Sequence, residues 1–219
     1  MVVNIIKSPN FDERESPIKH LILHYTGMKS GIEAIERLCN PESRVSAHYV
    51  LDEDGQLFNL VDESKRAWHA GISFWRGDES LNKSSIGIEI VNPGHEFGYR
   101  KFTEAQYQTL IPLCQEIKAR YKLQDINIIG HSDIAPDRKQ DPGELFDWER
   151  LAKAGVGLWA NSAQPLNHST ILLAELGYRT HDTASITAFQ RHWRQSQVNG
   201  IWDDECAKLL DNLLHQIRA

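Results

Sequence analysis

Asn127-Ile128-Ile129-Gly130-His131-Ser132-Asp133, followed closely by Lys139-Gln140-Asp141-Pro142-Gly143, decides how this chain is read. A short apolar run ends in a histidine, and an aspartate follows in a loop bounded by Pro142 and Gly143. A second run of the same form, Leu21-Ile22-Leu23-His24, stands near the N-terminus. Apolar runs of this length read as buried strands, and ligands gather in the crevice beyond strand ends. Two histidines and one carboxylate, His24, His131 and Asp141, would hold a zinc ion with its fourth position open, as catalytic zinc sites do. A lone histidine at a strand end is more often a core or surface residue than a ligand. On spacing alone both readings stand. The chain has no HExxH, so this is not a helix-based metalloprotease site.

The surrounding chain has 219 residues, 41% hydrophobic and 25% charged, with a net charge of -6. That is room for one sizeable domain and a small one. The negative balance argues against a general affinity for nucleic acid or an anionic membrane surface. No apolar run approaches the roughly 18 residues that span a bilayer. The first residues show no secretory signal, so the chain is expected to be cytoplasmic, or periplasmic or wall-associated if a signal was removed. Cys39, Cys114 and Cys206 are far apart, odd in number and without a CxxC pair. They read as isolated structural residues.

Working outward, residues 1–17 read as a surface arm and 18–25 as the first strand. Ile32, Ile35 and Leu38 mark a short helix that Asn40-Pro41 stops. Residues 45–51 and 56–61 form a hairpin across the carboxylate-rich turn 52–55. Residues 66–71 and 72–83 read as loops, and 84–91 as a buried strand. Thr103 and Gln106 make a capping box for the main helix, 103–121. A strand at 126–129, a loop from 130 to 143 and a helix at 146–154 complete a unit spanning 1–155. Strands interspersed with helices predict an α/β fold: a mixed central sheet flanked by helices. Residues 156–168 read as a linker, on Gly157, Asn161, Ser162, Pro165 and Asn167 with Gly155 just before them. Three helices over 169–219 then form a small, nearly neutral C-terminal domain, large enough to fold alone.

Glu89 sits inside Ile86-Gly87-Ile88-Glu89-Ile90-Val91. A carboxylate amid apolar neighbours costs several kcal/mol unless paired or neutralised. It reads either as an edge-strand residue in water or as a general base beside a metal. Lys139 lies two residues before Asp141, so an extended loop would aim both at one point; alone, it reads as a solvated lysine. Tyr49, Trp68 and His69 are aromatic candidates for lining a crevice. His48, opposite Tyr49 on its strand, is given no role, and the other histidines have no identifiable partners.

Taken together, His24-Tyr25-Thr26, 46–50 (Ser-Ala-His-Tyr-Val), 66–71 (Arg-Ala-Trp-His-Ala-Gly), 86–89 (Ile-Gly-Ile-Glu), 130–133 (Gly-His-Ser-Asp) and 139–143 (Lys-Gln-Asp-Pro-Gly) resemble the zinc N-acetylmuramoyl-L-alanine amidases. That family includes anhydro-muropeptide amidases, phage lysozyme-type amidases and peptidoglycan recognition proteins. The resemblance spans about residues 15–155, with the motifs in the family's order. It implies a Zn2+ cofactor held by His24, His131 and Asp141, Glu89 as catalytic glutamate, and Lys139 as the stabiliser of the transition state. It further implies Tyr49, Trp68 and His69 beside the substrate, a muropeptide or peptidoglycan. The activity implied is hydrolysis of the amide between N-acetylmuramic acid, or its 1,6-anhydro form, and L-alanine. The alternative is a non-catalytic muropeptide binder, which the presence of all three ligands, Glu89 and Lys139 disfavours. The C-terminal part looks like a three-helix peptidoglycan-binding domain at 173–178, 188–191 and 198–201. It departs from that pattern at Asn199 and Cys206, so the fold carries over more safely than the binding.

Overall fold

The computed structural model describes residues 2–161 and 168–219. Among the described residues ten strands form in chain order: β1 (Val3–Ile5), β2 (Phe11–Glu13), β3 (His20–Tyr25), β4 (Tyr49–Leu51), β5 (Leu57–Asn59), β6 (Lys65–Ala67), β7 (Phe74–Trp75), β8 (Asp78–Glu79), β9 (Ser85–Ile90) and β10 (Ile128–Gly130). The helices are α1 (Gly31–Cys39), α2 (Gly94–Phe97), α3 (Glu104–Tyr121), α4 (His131–Ile134), α5 (Trp148–Lys153), α6 (Leu173–Leu176), α7 (Thr183–Trp193) and α8 (Asp204–Arg218). The central sheet runs β1-β5-β4-β9-β3-β10. It is mixed: only β4 and β5 pair antiparallel, as the hairpin turn at 52–55 requires.

Alternation along β3 and β9 gives the sheet two different faces. Leu21, Leu23, Ile86, Ile88 and Ile90 pack against Leu110, Leu113, Cys114 and Ile117 of α3. That helix begins at the expected capping box, with Thr103 and Gln106 satisfying each other's backbone N–H groups. The other face carries His24 and Glu89, which are register partners on adjacent parallel strands. β9 lies between β4 and β3, so Glu89 is not on an edge strand in water.

Four local expectations are corrected. Residues 66–71 and 72–83 are not simply loops: β6 pairs with β2, and the β7–β8 hairpin carries the buried Trp75. The N-terminal arm is not merely surface packing: β1 extends the sheet beside β5, and β2 pairs with β6. Its side chains are mostly exposed, which left no buried pattern to read. The segment after Gly130 is not all loop, because His131 opens α4 directly from the end of β10. The first part of the expected linker is packed: Val156 and Ala160 are buried, and Trp159 lies against the core. Residues 162–167 of that linker lie outside the described residues.

The C-terminal helices share a core with the sheet. Leu173, Leu176, Phe189 and Leu213 belong to one buried cluster with Ile22, Trp75, Ile129 and Ile134. Apolar burial at roughly 25 cal/mol per Å² acts across this seam as it does within the sheet. The boundary expected at 156–168 therefore crosses a continuous core.

Candidate metal centre and active site

β3, β10 and the loop after α4 bring three side chains to one point. His24 Nδ1, His131 Nδ1 and Asp141 Oδ2 lie 3.0 Å from one another, and all three residues are buried. Their neighbours assign the tautomers. His131 Nε2–H donates to the Ala70 carbonyl at 3.2 Å, which leaves a lone pair on Nδ1. His24 Nε2–H donates to His69 Nδ1 at 3.0 Å, and His69 Nε2–H donates to Ser85 Oγ at 3.1 Å. Ser85 Oγ–H ends the chain on the Leu81 carbonyl at 2.6 Å. Because a carbonyl only accepts, the direction runs outward and His24 Nδ1 also presents a lone pair.

Three acceptor atoms thus face one another, an arrangement that repels itself unless a cation or proton sits among them. Two imidazole nitrogens and one carboxylate oxygen suit zinc, and outer partners that orient ligating histidines are a regular feature of such sites. Burial, then the neighbouring His131, pushes His24 down to about 4. Burial works to raise Asp141, but His131 and His24 outweigh it and hold the carboxyl well below the usual range. The donor set is therefore ready for a metal at neutral pH.

The Asp141 loop is pinned to α4. Ser132 N–H donates to the Asp141 carbonyl at 2.9 Å. Pro142 lies over Gly130, where an added Cβ would come within 2.8 Å of its Cδ. Tyr99 Oη donates to the Pro142 carbonyl and accepts from Leu145 N–H, holding the far side of the loop.

Beside the triad opens a cavity of about 800 Å³, lined in part by Glu89, Lys139, Trp68, Tyr25 and Arg37. Glu89 has one carboxylate oxygen buried without a hydrogen-bond partner among the described residues. Burial first, then the charge of Asp141, raises its pKa well above the usual carboxylate range, while Lys139 acts in the opposite direction. Lys139 is half-buried, and its ammonium makes no hydrogen bond or ion pair among the described residues. A carboxyl and an ammonium without hydrogen-bond partners among the described residues thus lie beside three atoms that could hold a metal ion.

The model of the family described as N-acetylmuramoyl-L-alanine amidase matches residues 14–144. The chain belongs to the N-acetylmuramoyl-L-alanine amidase family. It is 35% identical to the N-acetylmuramoyl-L-alanine amidase AmiD of Escherichia coli, over 91% of this chain and 83% of that protein. It is 36% identical to the 1,6-anhydro-N-acetylmuramyl-L-alanine amidase AmpD of Haemophilus influenzae, over 66% of this chain and 88% of that protein. Among solved structures, AmiD with anhydro-N-acetylmuramic acid-L-Ala-D-gamma-Glu-L-Lys superposes with a TM-score of 0.82 at 36% identity, covering 91% of this chain and 89% of that one. AMPDH3 of Pseudomonas aeruginosa gives 0.84 at 32% identity, covering 92% and 93%.

In this amidase the remaining expected residues divide. His69 lies at the cavity but spends both ring nitrogens on His24 and Ser85, so its contacts are those of a ligand-orienting group. Trp68 borders the cavity, and its Nε1–H donates to Asp12 at 2.6 Å. Tyr49 is a correction. Alternation turns it to the α3 face, where its hydroxyl donates to Glu63 at 2.8 Å beside Tyr121 and Arg120. Val50, not Tyr49, points to the Glu89 side of the sheet.

Sequence reading missed three groups. Ser85 and Ala70 act through single atoms that no pattern announces. Gly87 is the third: a Cβ there would stand 2.5 Å from the His69 ring. The signal was present, since glycine inside a buried strand marks a close approach. His48, given no role, holds β9 by accepting the Gly87 N–H at 3.0 Å, and burial pushes it down to about 3.

Proposed function

We propose that this chain is a zinc hydrolase that cleaves the amide joining the lactyl group of N-acetylmuramic acid, or its 1,6-anhydro form, to L-alanine in muropeptides or peptidoglycan. The observation that carries this reading is the unpartnered Glu89 carboxylate in the same cavity as three converging ligand atoms. His24, His131 and Asp141 would hold the ion, which when bound supplies Lewis acidity that acidifies water and polarises a carbonyl.

Glu89 takes one proton as water adds to the amide carbon, and returns it to the nitrogen as the C–N bond breaks. The products are a lactyl carboxylate and a stem peptide with a free amino terminus. Burial raises the pKa of Glu89, and a cation at the triad would lower it again, favouring the carboxylate that accepts the proton. Lys139 places positive charge where the carbonyl oxygen gathers negative charge, a contribution typically worth roughly 3–4 kcal/mol. Trp68 offers an aromatic wall to the substrate.

The two solved relatives with anhydromuramyl peptides support the anhydro form as a substrate. No helix among the described residues is long and apolar enough to cross a membrane. Action on soluble anhydro-muropeptides would fit a cytoplasmic role, and action on intact sacculi an exported one. The test is Glu89→Gln: it should keep the wild-type zinc content and release no stem peptide. Retained turnover would remove Glu89 from the mechanism.

A further inference from the structure

Asp133 follows His131 by two residues but does not line the cavity. It is 1% exposed, and its carboxylate accepts three hydrogen bonds. One comes from Gly130 N–H at 2.8 Å, which closes the first turn of α4. The other two come from the C-terminal helical region. Tyr178 Oη–H donates to Oδ1 at 2.6 Å, and His192 Nδ1 donates to Oδ2 at 2.7 Å.

Both donors are themselves held. The Tyr178 ring meets Trp75 edge-on, with centroids 5.1 Å apart. The His192 ring is stacked between Trp148 at 3.8 Å and Trp193 at 3.7 Å. Gly177, just before Tyr178, lies where any Cβ would strike the Trp75 ring at 2.6 Å, and its carbonyl accepts Arg76 N–H. The region is thus clamped to β7, to α5 and, through Asp133, to α4, which carries His131.

α4 is only four residues long and begins with the ligand His131. So short a helix has little stability of its own. Its orientation depends on what grips Asp133 and on the Ala70 carbonyl that receives His131 Nε2–H.

We infer that residues 169–219 brace the metal centre: Tyr178 and His192 act as positioning residues that fix Asp133, and through α4 they fix His131. This rests on the metal reading of the triad. It gives the helical region a role in the chemistry that is independent of any wall binding. The match to AmpD of Haemophilus influenzae covers only 66% of this chain, so the brace need not be general to the family.

Two features of His192 can be separated by substitution. His192→Phe keeps a ring between the tryptophans and loses the donor. His192→Asn keeps a donor near the Nδ1 position and loses the ring. Tyr178→Phe removes one hydroxyl and leaves the ring on Trp75. Zinc dissociation constants by chelator competition, thermal unfolding of the metal-free proteins, and kcat at saturating zinc are measured on the full chain.

The brace predicts that zinc affinity follows the donor. Tyr178→Phe and His192→Phe should each weaken zinc roughly 10-fold, at the lower end for outer-shell partners, with His192→Asn closer to wild type. Thermal stability should instead follow the ring, with His192→Asn lowest. Zinc affinities of Tyr178→Phe and His192→Phe within two-fold of wild type, or affinities that track unfolding temperature, would overturn the inference. If His192→Asn does not fold, Tyr178→Phe alone decides. A wild-type chain that binds no zinc would instead refute the metal reading, a distinguishable result.

Discussion

Adding one methyl group to the central strand should disable the metal centre from behind. In Gly87→Ala the new Cβ would lie 2.5 Å from Cγ and Nδ1 of His69. Carbon atoms rest at about 3.5–4.0 Å, so the ring must retreat by roughly 1 Å. β9 cannot yield instead, because it is hydrogen-bonded to β3 and β4 along both sides. The ring's two hydrogen bonds, at 3.0 Å to His24 and 3.1 Å to Ser85, do not survive such a shift. His24 then loses the acceptor that fixes its Nε2–H and keeps Nδ1 free for the metal. Overpacking of this kind costs about 1–3 kcal/mol of stability. Loss of an outer-shell partner typically weakens metal binding about 10–100-fold. Zinc affinity is read by competition with a chromophoric chelator, and stability by urea unfolding of the metal-free protein. His69→Ala should weaken zinc to a similar extent. The double variant should be little worse than His69→Ala, because the methyl then has no ring to strike. Wild-type zinc affinity in Gly87→Ala, or strict additivity in the double variant, would refute the reasoning.

Other consequences are checked with the same reagents. Glu89→Gln should retain zinc and lose turnover by about 100-fold or more, measured as stem-peptide release. Lys139→Ala should lower kcat by about 100-fold with zinc still bound; a change confined to KM would reassign it to uniform substrate binding. Stability of the metal-free protein should fall on acidification. Burial holds His24 near 4 and His48 near 3 in the fold, against an ordinary value of 6.5 in the unfolded chain. Their contribution is complete above pH 6.5 and is lost as pH falls toward 4, because the unfolded chain takes up protons that the fold refuses. At pH 5 the loss is roughly 2 kcal/mol per histidine, by urea unfolding at pH 7.5 and pH 5. A flat profile over that range would mean these histidines are not buried neutral.

Much of the site was legible because parallel strands keep register. Two apolar runs ending in histidine, and a carboxylate inside a third, can share a crevice only if their strands are neighbours; β9, β3 and β10 are consecutive in the sheet. Capping chemistry was equally readable, and α3 starts where Thr103 and Gln106 place it. What failed had physical reasons. Tyr49 sits on the right strand, but strand alternation assigns it to α3 and not to the cavity. β1 escaped notice because an edge strand held by backbone bonds needs no buried side-chain pattern. The Tyr178–Asp133–His192 cluster joins residues 45 and 59 positions apart, a pairing that no local periodicity reveals. The apparent linker composition at 155–168 concealed Val156, buried in the cluster beneath α3, and Trp159, which packs against that cluster and against the one shared with the C-terminal helices.

The most direct test of the account is mass-spectrometric analysis of products from purified anhydro-muropeptide, with wild-type protein, with wild-type plus a zinc chelator, and with Glu89→Gln. The account predicts free stem peptide and the anhydro-sugar from wild type, none after chelation, recovery on adding zinc, and none from Glu89→Gln at full zinc occupancy. Stem-peptide release that persists without metal, or undiminished release from zinc-loaded Glu89→Gln, would contradict it.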